Sequence, residues 1–156
     1  MDGIYTFKAL FSNFCLISVA CAWILAQIIK IFTGYFRQDE FSMTKFFCGT
    51  GGMPSAHSAT VCALVVSSAC QYGFGHYAFA VSVLLATIVM SDATGVRLET
   101  GKQAKIINQL ITEIFTGKGD VQANLKELIG HTPFQVAVGA ILGVTVAVVL
   151  KLTVYR

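Results

Sequence analysis

Charge is what this sequence has least of. Only 12% of its 156 residues are charged, against about a quarter in a soluble domain. That supply cannot clothe an ordinary water-exposed surface, which excludes a typical soluble globular fold. Proline is scarce too: Pro54 and Pro133 are the only two, so helices meet few obligatory breaks. The five cysteines, Cys15, Cys21, Cys48, Cys62 and Cys70, contain no CxxC pair. This rules out a zinc ribbon and a disulfide framework. Four of them fall inside apolar runs and read as small buried residues. A net charge of +3, from 11 basic and 8 acidic residues, is too small to indicate nucleic acid. No internal repeat or low-complexity tract divides the chain, and its length suits one domain over 1–156.

What is abundant is apolar sequence: 55% of residues are hydrophobic and the mean hydropathy is +0.70. About 20 apolar residues cross a hydrocarbon core of roughly 30 Å. Residues 10–32 qualify. The small residues Val19-Ala20-Cys21-Ala22 suggest a cleaved signal peptide as a rival, but only Lys8 precedes them and the apolar run continues past any cut. Residues 33–53 are polar and Gly-rich, with Phe41, Phe46 and Phe47 able to rest on a membrane surface. A second span is expected from Pro54 to Tyr72, with Pro54 in its first turn. After a turn at Gly73 and Gly75, a third runs from Tyr77 to Met90. Residues 93–131 are the longest polar segment, with amphipathic helices expected near 99–115 and 121–129. The last span, Pro133–Leu152, contains Gly139 and Gly143, a GxxxG pattern that permits close helix contact and is compatible with a homodimer. The expected fold is an all-α integral membrane bundle of about four transmembrane helices plus amphipathic surface helices.

Four crossings put segments 33–53 and 93–131 on one side of the membrane. That side gathers Lys30 and Arg37, Ser55 and His57, Asp92 and Arg97, and Lys126 and His131. Four polar clusters, distant in sequence, converge on one face, as a single site requires. Eight of the 11 basic residues fall on this side and three on the other. The positive-inside rule makes the site cytoplasmic, in the cell membrane.

The residue types suit phosphate chemistry. Ser55 and His57 stand where a Gly-Gly-Met-Pro segment enters a helix. Helix starts offer unpaired N–H groups and a positive dipole end to an anion. His131 occupies the equivalent place before Pro133. One imidazole can attack phosphorus while the other protonates the leaving oxygen. Lys30, Arg97 and Lys126 can neutralise the equatorial oxygens. The plainer readings are an N-cap serine and interfacial histidines. A metal site from His57, Asp92 and His131 lacks any ligand spacing of the HExxH kind. Neither metal nor cofactor is expected.

Residues 51–59, GGMPSAHSA, resemble the PSGH motif of the type 2 phosphatidic acid phosphatase superfamily, which includes vanadium haloperoxidases. Residues 130–143, GHTPFQVAVGAILG, resemble its last motif, and residues 92–104, DATGVRLETGKQA, look like those of a small divergent branch. The resemblance covers most of the chain. It implies metal-independent hydrolysis of a lipid phosphate monoester, such as phosphatidate or phosphatidylglycerophosphate, at the bilayer surface. His131 matches the nucleophile that becomes phosphohistidine, and His57 the histidine that assists the leaving group. Ser55 and the Ala56 backbone match phosphate donors. Lys30 and Arg37 match the KxxxxxxR spacing of the first motif. The chain departs from the pattern at Ala56 (usually glycine), Gln38 (proline), Leu125 (arginine) and Gln135 (the aspartate that orients the nucleophile). Lys126 or Arg97 can stand in for the arginine, and Asp92 for the carboxylate. Gln135 favours the alternative, a non-catalytic phospholipid- or phosphate-binding membrane protein or transporter component.

Overall fold

The computed structural model describes the backbone of residues 7–36, 52–115 and 131–155, and the side chains of 9–33, 52–111 and 131–155. Arg37, Lys126 and the helix expected near 121–129 lie outside the described residues. Among the described residues there are six helices and no strand. In chain order they are α1 Phe7–Phe11, α2 Phe14–Phe36, α3 Ala56–Tyr72, α4 Tyr77–Thr94, α5 Val96–Phe115 and α6 Pro133–Thr153. The described residues are all-helical outside their turns, as expected from the long apolar runs.

Three stretches are long and apolar enough to cross a membrane: Phe14–Thr33, Tyr77–Ile111 and Pro133–Thr153. The second covers α4 and most of α5. Helix α3, expected as a further span, is not among them. Its 17 residues reach only about 25 Å at 1.5 Å each, and it is rich in serine and alanine. The reason is its position. It packs against α2, α4 and α6 at the centre of the bundle, so it has little need of a lipid-facing apolar surface.

Local chemistry sets the helix ends. The run expected to begin at residue 10 is broken at Asn13, whose Oδ1 accepts from the N–H groups of Cys15 and Leu16 at 3.0 and 3.2 Å and caps α2. Pro54, expected in the first turn of its helix, lies ahead of it, because Ser55 takes an extended conformation and caps α3. Pro133 does open α6. Before it, Thr132 and Gln135 form a reciprocal capping box, the T-x-x-Q of residues 132–135. Asp92, expected beyond the third span, lies in the last turn of α4, which continues to Thr94.

The bundle core consists of small residues. Ala22 and Ala26 of α2, Ala56, Ala59 and Ala63 of α3, and Ala147 of α6 form one buried cluster. Gly139 and Gly143 extend the seam on α6. A Cβ at Gly139 would overlap the Ser55 carbonyl oxygen, and one at Gly143 the Ala59 carbonyl oxygen. The GxxxG face is therefore filled by the chain's own α3, and it gives no ground for a homodimer. Large apolar residues such as Ile28, Leu84, Ile88 and Ile141 point outward. This arrangement suits lipid, where backbone proximity and dispersion hold helices together because water cannot drive them.

The contacts also give the directions of the helices. Gly139 lies beside Ser55 and Gly143 beside Ala59, so α3 and α6 run parallel. Helix α2 is antiparallel to both. Its start meets the end of α3 through Cys15 Sγ, which donates to Gln71 Oε1 at 3.3 Å. It also meets the end of α6 through Phe14 and Tyr155, ring centroids 4.8 Å apart. Its far end meets the start of α3, where Thr33 Oγ1 donates to the Met53 carbonyl at 2.9 Å. One end of the bundle thus collects the end of α2, the starts of α3 and α6, and the end of α4.

Candidate active site

At that end, backbone hydrogen bonds tie the polar segments together. His131 N–H donates to the Ala93 carbonyl at 3.2 Å, holding the entry to α6 against the last turn of α4. Ser55 N–H donates to the Gln135 carbonyl at 3.2 Å, holding the entry to α3 against the first turn of α6. Residues 38 and 80 positions apart along the chain are thereby locked in register. Lys30 joins them from α2. A Cβ on Gly52 would meet Lys30 Cγ at 3.3 Å and Cδ at 3.5 Å, so the lysine stem lies along this residue. Gly52 also has φ +80°, a conformation that L side chains resist.

His131 is buried, with 5% of its surface exposed. Its Nδ1 lies 3.3 Å from Gln135 Oε1. Burial pushes its pKa below the usual histidine value. The hydrogen bond to Gln135 opposes that shift, and the positive charges of Lys30, His57 and Arg97 add to it. These effects together favour the neutral form of His131. His57 lies on the first turn of α3 with part of its ring exposed; desolvation lowers its pKa below the usual histidine value, the charges of Arg97 and Lys30 add to that shift, and Asp92 opposes it. The two imidazoles, the lysine and the arginine therefore share one electrostatic neighbourhood.

Ser55 is fully buried. Its Oγ accepts from Ser58 Oγ at 3.0 Å and from Ser58 N–H at 3.4 Å, so its first task is to cap α3. Its own hydroxyl proton remains a possible donor. The next N–H groups, those of Ala56 and His57, have no acceptor among the described residues, which is the usual condition of a helix start that takes an anion. Asp92, offered above as the carboxylate that would orient the nucleophile, instead accepts from Arg97 Nε at 2.6 Å. Both side chains are partly exposed, at 39% and 48%, so this pair adds at most about 1 kcal/mol of stability. It leaves the other guanidinium nitrogens of Arg97 available. Among the described residues, no three His, Cys, Asp or Glu side chains gather as a metal site would need.

The sequence did not point to Thr33, which ties α2 to residue 53, or to the Ala93 carbonyl, since backbone partners leave no trace in residue type. Thr132 could have been found, because T-x-x-Q before an apolar run is a capping signature.

The model of the family described as Divergent PAP2 matches residues 11–146, which span every element of this site. The chain belongs to the Divergent PAP2 family. It is also 39% identical over 154 residues to the uncharacterized membrane protein YuiD of Bacillus subtilis (strain 168), covering 90% of this chain and 96% of that one. No solved structure matches the chain. Its membership joins the membrane bundle to a branch of the phosphatase superfamily that the motifs resemble. In this Divergent PAP2 chain His131 has an amide neighbour, Gln135, and Asp92 of the middle motif holds Arg97.

Proposed function

We propose that this chain hydrolyses a lipid phosphate monoester of the phosphatidate or phosphatidylglycerophosphate type, without a metal, through a phosphohistidine at His131. The observation that carries it is the pair of backbone hydrogen bonds, His131 to Ala93 and Gln135 to Ser55, that bring three distant motif segments to one end of a membrane bundle. Membership of the Divergent PAP2 family supports it.

The steps balance as follows. A neutral imidazole nitrogen of His131 attacks phosphorus, and the bond from phosphorus to the lipid oxygen breaks. His57, which takes up a proton as the dianionic phosphate binds beside it, gives that proton to the oxygen, which leaves as an alcohol. Water then attacks the phosphohistidine, His57 takes its proton back, the N–P bond breaks and inorganic phosphate departs. Lys30, Arg97 and the N–H groups at the start of α3, including that of Ala56, offset charge on the phosphoryl oxygens, with Ser55 as a further donor. Arg37 and Lys126 are further proposed phosphate ligands on sequence grounds. Asp92 acts through Arg97. The lipid tail stays in the bilayer beside the outward apolar faces, and the excess of basic residues on the site's side supports a site facing the cytoplasm.

The test is phosphate release from phosphatidate and phosphatidylglycerophosphate in mixed micelles by purified wild-type, His131→Ala and His57→Ala protein. His131→Ala should fall to background, and His57→Ala should lose about 10²- to 10⁴-fold. Equal rates in the wild type and His131→Ala would remove the catalytic assignment. The neutral amide at Gln135 favours a second reading, a non-catalytic phospholipid- or phosphate-binding protein. Saturable binding of these lipids with no release would establish it.

A further inference from the structure

We infer that α5 is an in-plane membrane arm. It lies along the lipid surface on the side of the site, with the face of Ile106, Ile107 and Leu110 embedded among acyl chains, and it holds Arg97 at that depth. The partner is the phospholipid bilayer itself. The hold on Arg97 rests on the phosphatase function proposed above; the placement of the helix does not.

The second apolar stretch, Tyr77–Ile111, is not one helix. Gly95 divides it, with φ −102° and ψ −89°, outside the helical region. Its N–H closes α4 on the Ser91 carbonyl at 2.8 Å, and its carbonyl accepts from the Glu99 N–H at 3.0 Å to open α5. The 18 residues of α4 rise about 27 Å, close to the roughly 30 Å of a hydrocarbon core. Helix α4 therefore crosses alone, and α5 starts where it emerges.

Charge decides where α5 goes from there. Helix α4 holds one charged residue, Asp92, in its last turn. Residues 97–105 hold four: Arg97, Glu99, Lys102 and Lys105. Each of these cations would cost about 2.5–3.5 kcal/mol at the centre of a bilayer, so α5 does not enter the core. Neither does it suit open water. Ile106, Ile107 and Leu110 share one side at helical spacing and are 56%, 43% and 49% exposed. The described helix that α5 packs against is α4, to which it is joined, and this leaves the apolar stripe uncovered among the described residues.

Two features name lipid as the cover. The outward side chains of α4, Leu84 and Ile88 among them, already face acyl chains, and exposed Val96 continues that surface across the bend into α5. The stripe also faces away from a lysine: with Leu110 embedded, Lys105 stands on the opposite side, among headgroup phosphates. One apolar face and one basic polar face are what a helix lying in the interface requires. Arg97 is in the first turn of this arm and is clasped by Asp92 at 2.6 Å across the bend. An embedded α5 cannot swing into water, so the guanidinium stays beside His57 and His131.

The test uses the full-length protein in phospholipid nanodiscs, in a Trp23→Phe background, since Trp23 is the single tryptophan. Leu110→Trp reports from the stripe and Gln109→Trp from beside it. The lipid chains carry bromine either near the headgroup or near the terminal methyl. Leu110→Trp should lose most of its fluorescence to the shallow bromine and little to the deep one, and Gln109→Trp should lose little to either. If Trp23→Phe does not fold, the same two variants are read as differences from wild type. Deep quenching at both positions would mean a crossing helix, and no quenching at either would mean a face covered by protein; each result would overturn the inference. The triple change Ile106→Ser, Ile107→Ser and Leu110→Ser should leave the melt unchanged and lower phosphate release roughly 10- to 100-fold by misplacing Arg97. Wild-type release from that variant would overturn the hold on Arg97. The expected quenching in a protein that releases no phosphate would uphold the arm while rejecting the proposed function.

Discussion

Gly143→Ala tests the packing that holds the site together. A Cβ at this position would overlap the Ala59 carbonyl oxygen and lie 2.8 Å from the Ala59 carbonyl carbon and 3.0 Å from its Cα. All three atoms are backbone, so no rotamer change relieves the clash and the helices must move apart. Ordinary contact needs several tenths of an ångström more. Overpacking of this kind costs about 1–3 kcal/mol, and more when rigid atoms collide. The substitution regains about 1 kcal/mol through helix propensity, and because the clash is with rigid backbone the upper end of the cost applies, which leaves a net loss of about 2 kcal/mol. At about 2–4 °C per kcal/mol for a chain of this size, the helical melt followed by circular dichroism in detergent should fall by several degrees. The hydrogen bond from Ser55 N–H to the Gln135 carbonyl is already 3.2 Å long, and a separation of α3 from α6 would stretch it, so phosphate release should fall with stability. Val144→Ala, one position along on the outward side, is the control and should change stability by less than about 0.5 kcal/mol. A Gly143→Ala protein with wild-type melting and activity would refute both the seam and its link to the site.

Ser55→Ala removes the cap of α3 and strands the buried Ser58 hydroxyl, for a loss of about 1–3 kcal/mol; the double variant with Ser58→Ala should cost less than the sum of the two single changes, as a chemical or thermal melt would show. The protonation of His131 links stability to acid. Its folded pKa lies below the unfolded value of about 6.5, so the unfolded chain takes up more protons as pH falls. This contribution is complete above about pH 6.5 and is lost as pH drops through that value toward the lower folded pKa. Melting temperature plotted against pH should therefore decline more steeply for the wild type than for His131→Gln between pH 7 and 5, and identical slopes would count against a neutral buried imidazole.

The solvent of this protein was determined by its sequence alone. Too few charges and long apolar runs leave lipid as the only environment in which most of its residues are satisfied, and the polar clusters at the ends of those runs marked the residues now gathered at one end. His57, His131 and Lys30 were legible because motif spacing and span counting are local properties. Tertiary structure decided the pairings. Whether Asp92 meets an imidazole or a guanidinium depends on where α5 turns at Gly95, and residue 92 finds Arg97 five positions on. Whether GxxxG serves a second copy or the chain's own α3 depends on which helix arrives first at backbone distance, which glycine spacing cannot specify. The join between α3 and α6 depends on the Ser55 N–H meeting the Gln135 carbonyl. Backbone groups have the same chemistry at almost every residue, so only the folded chain shows which of them point at one another.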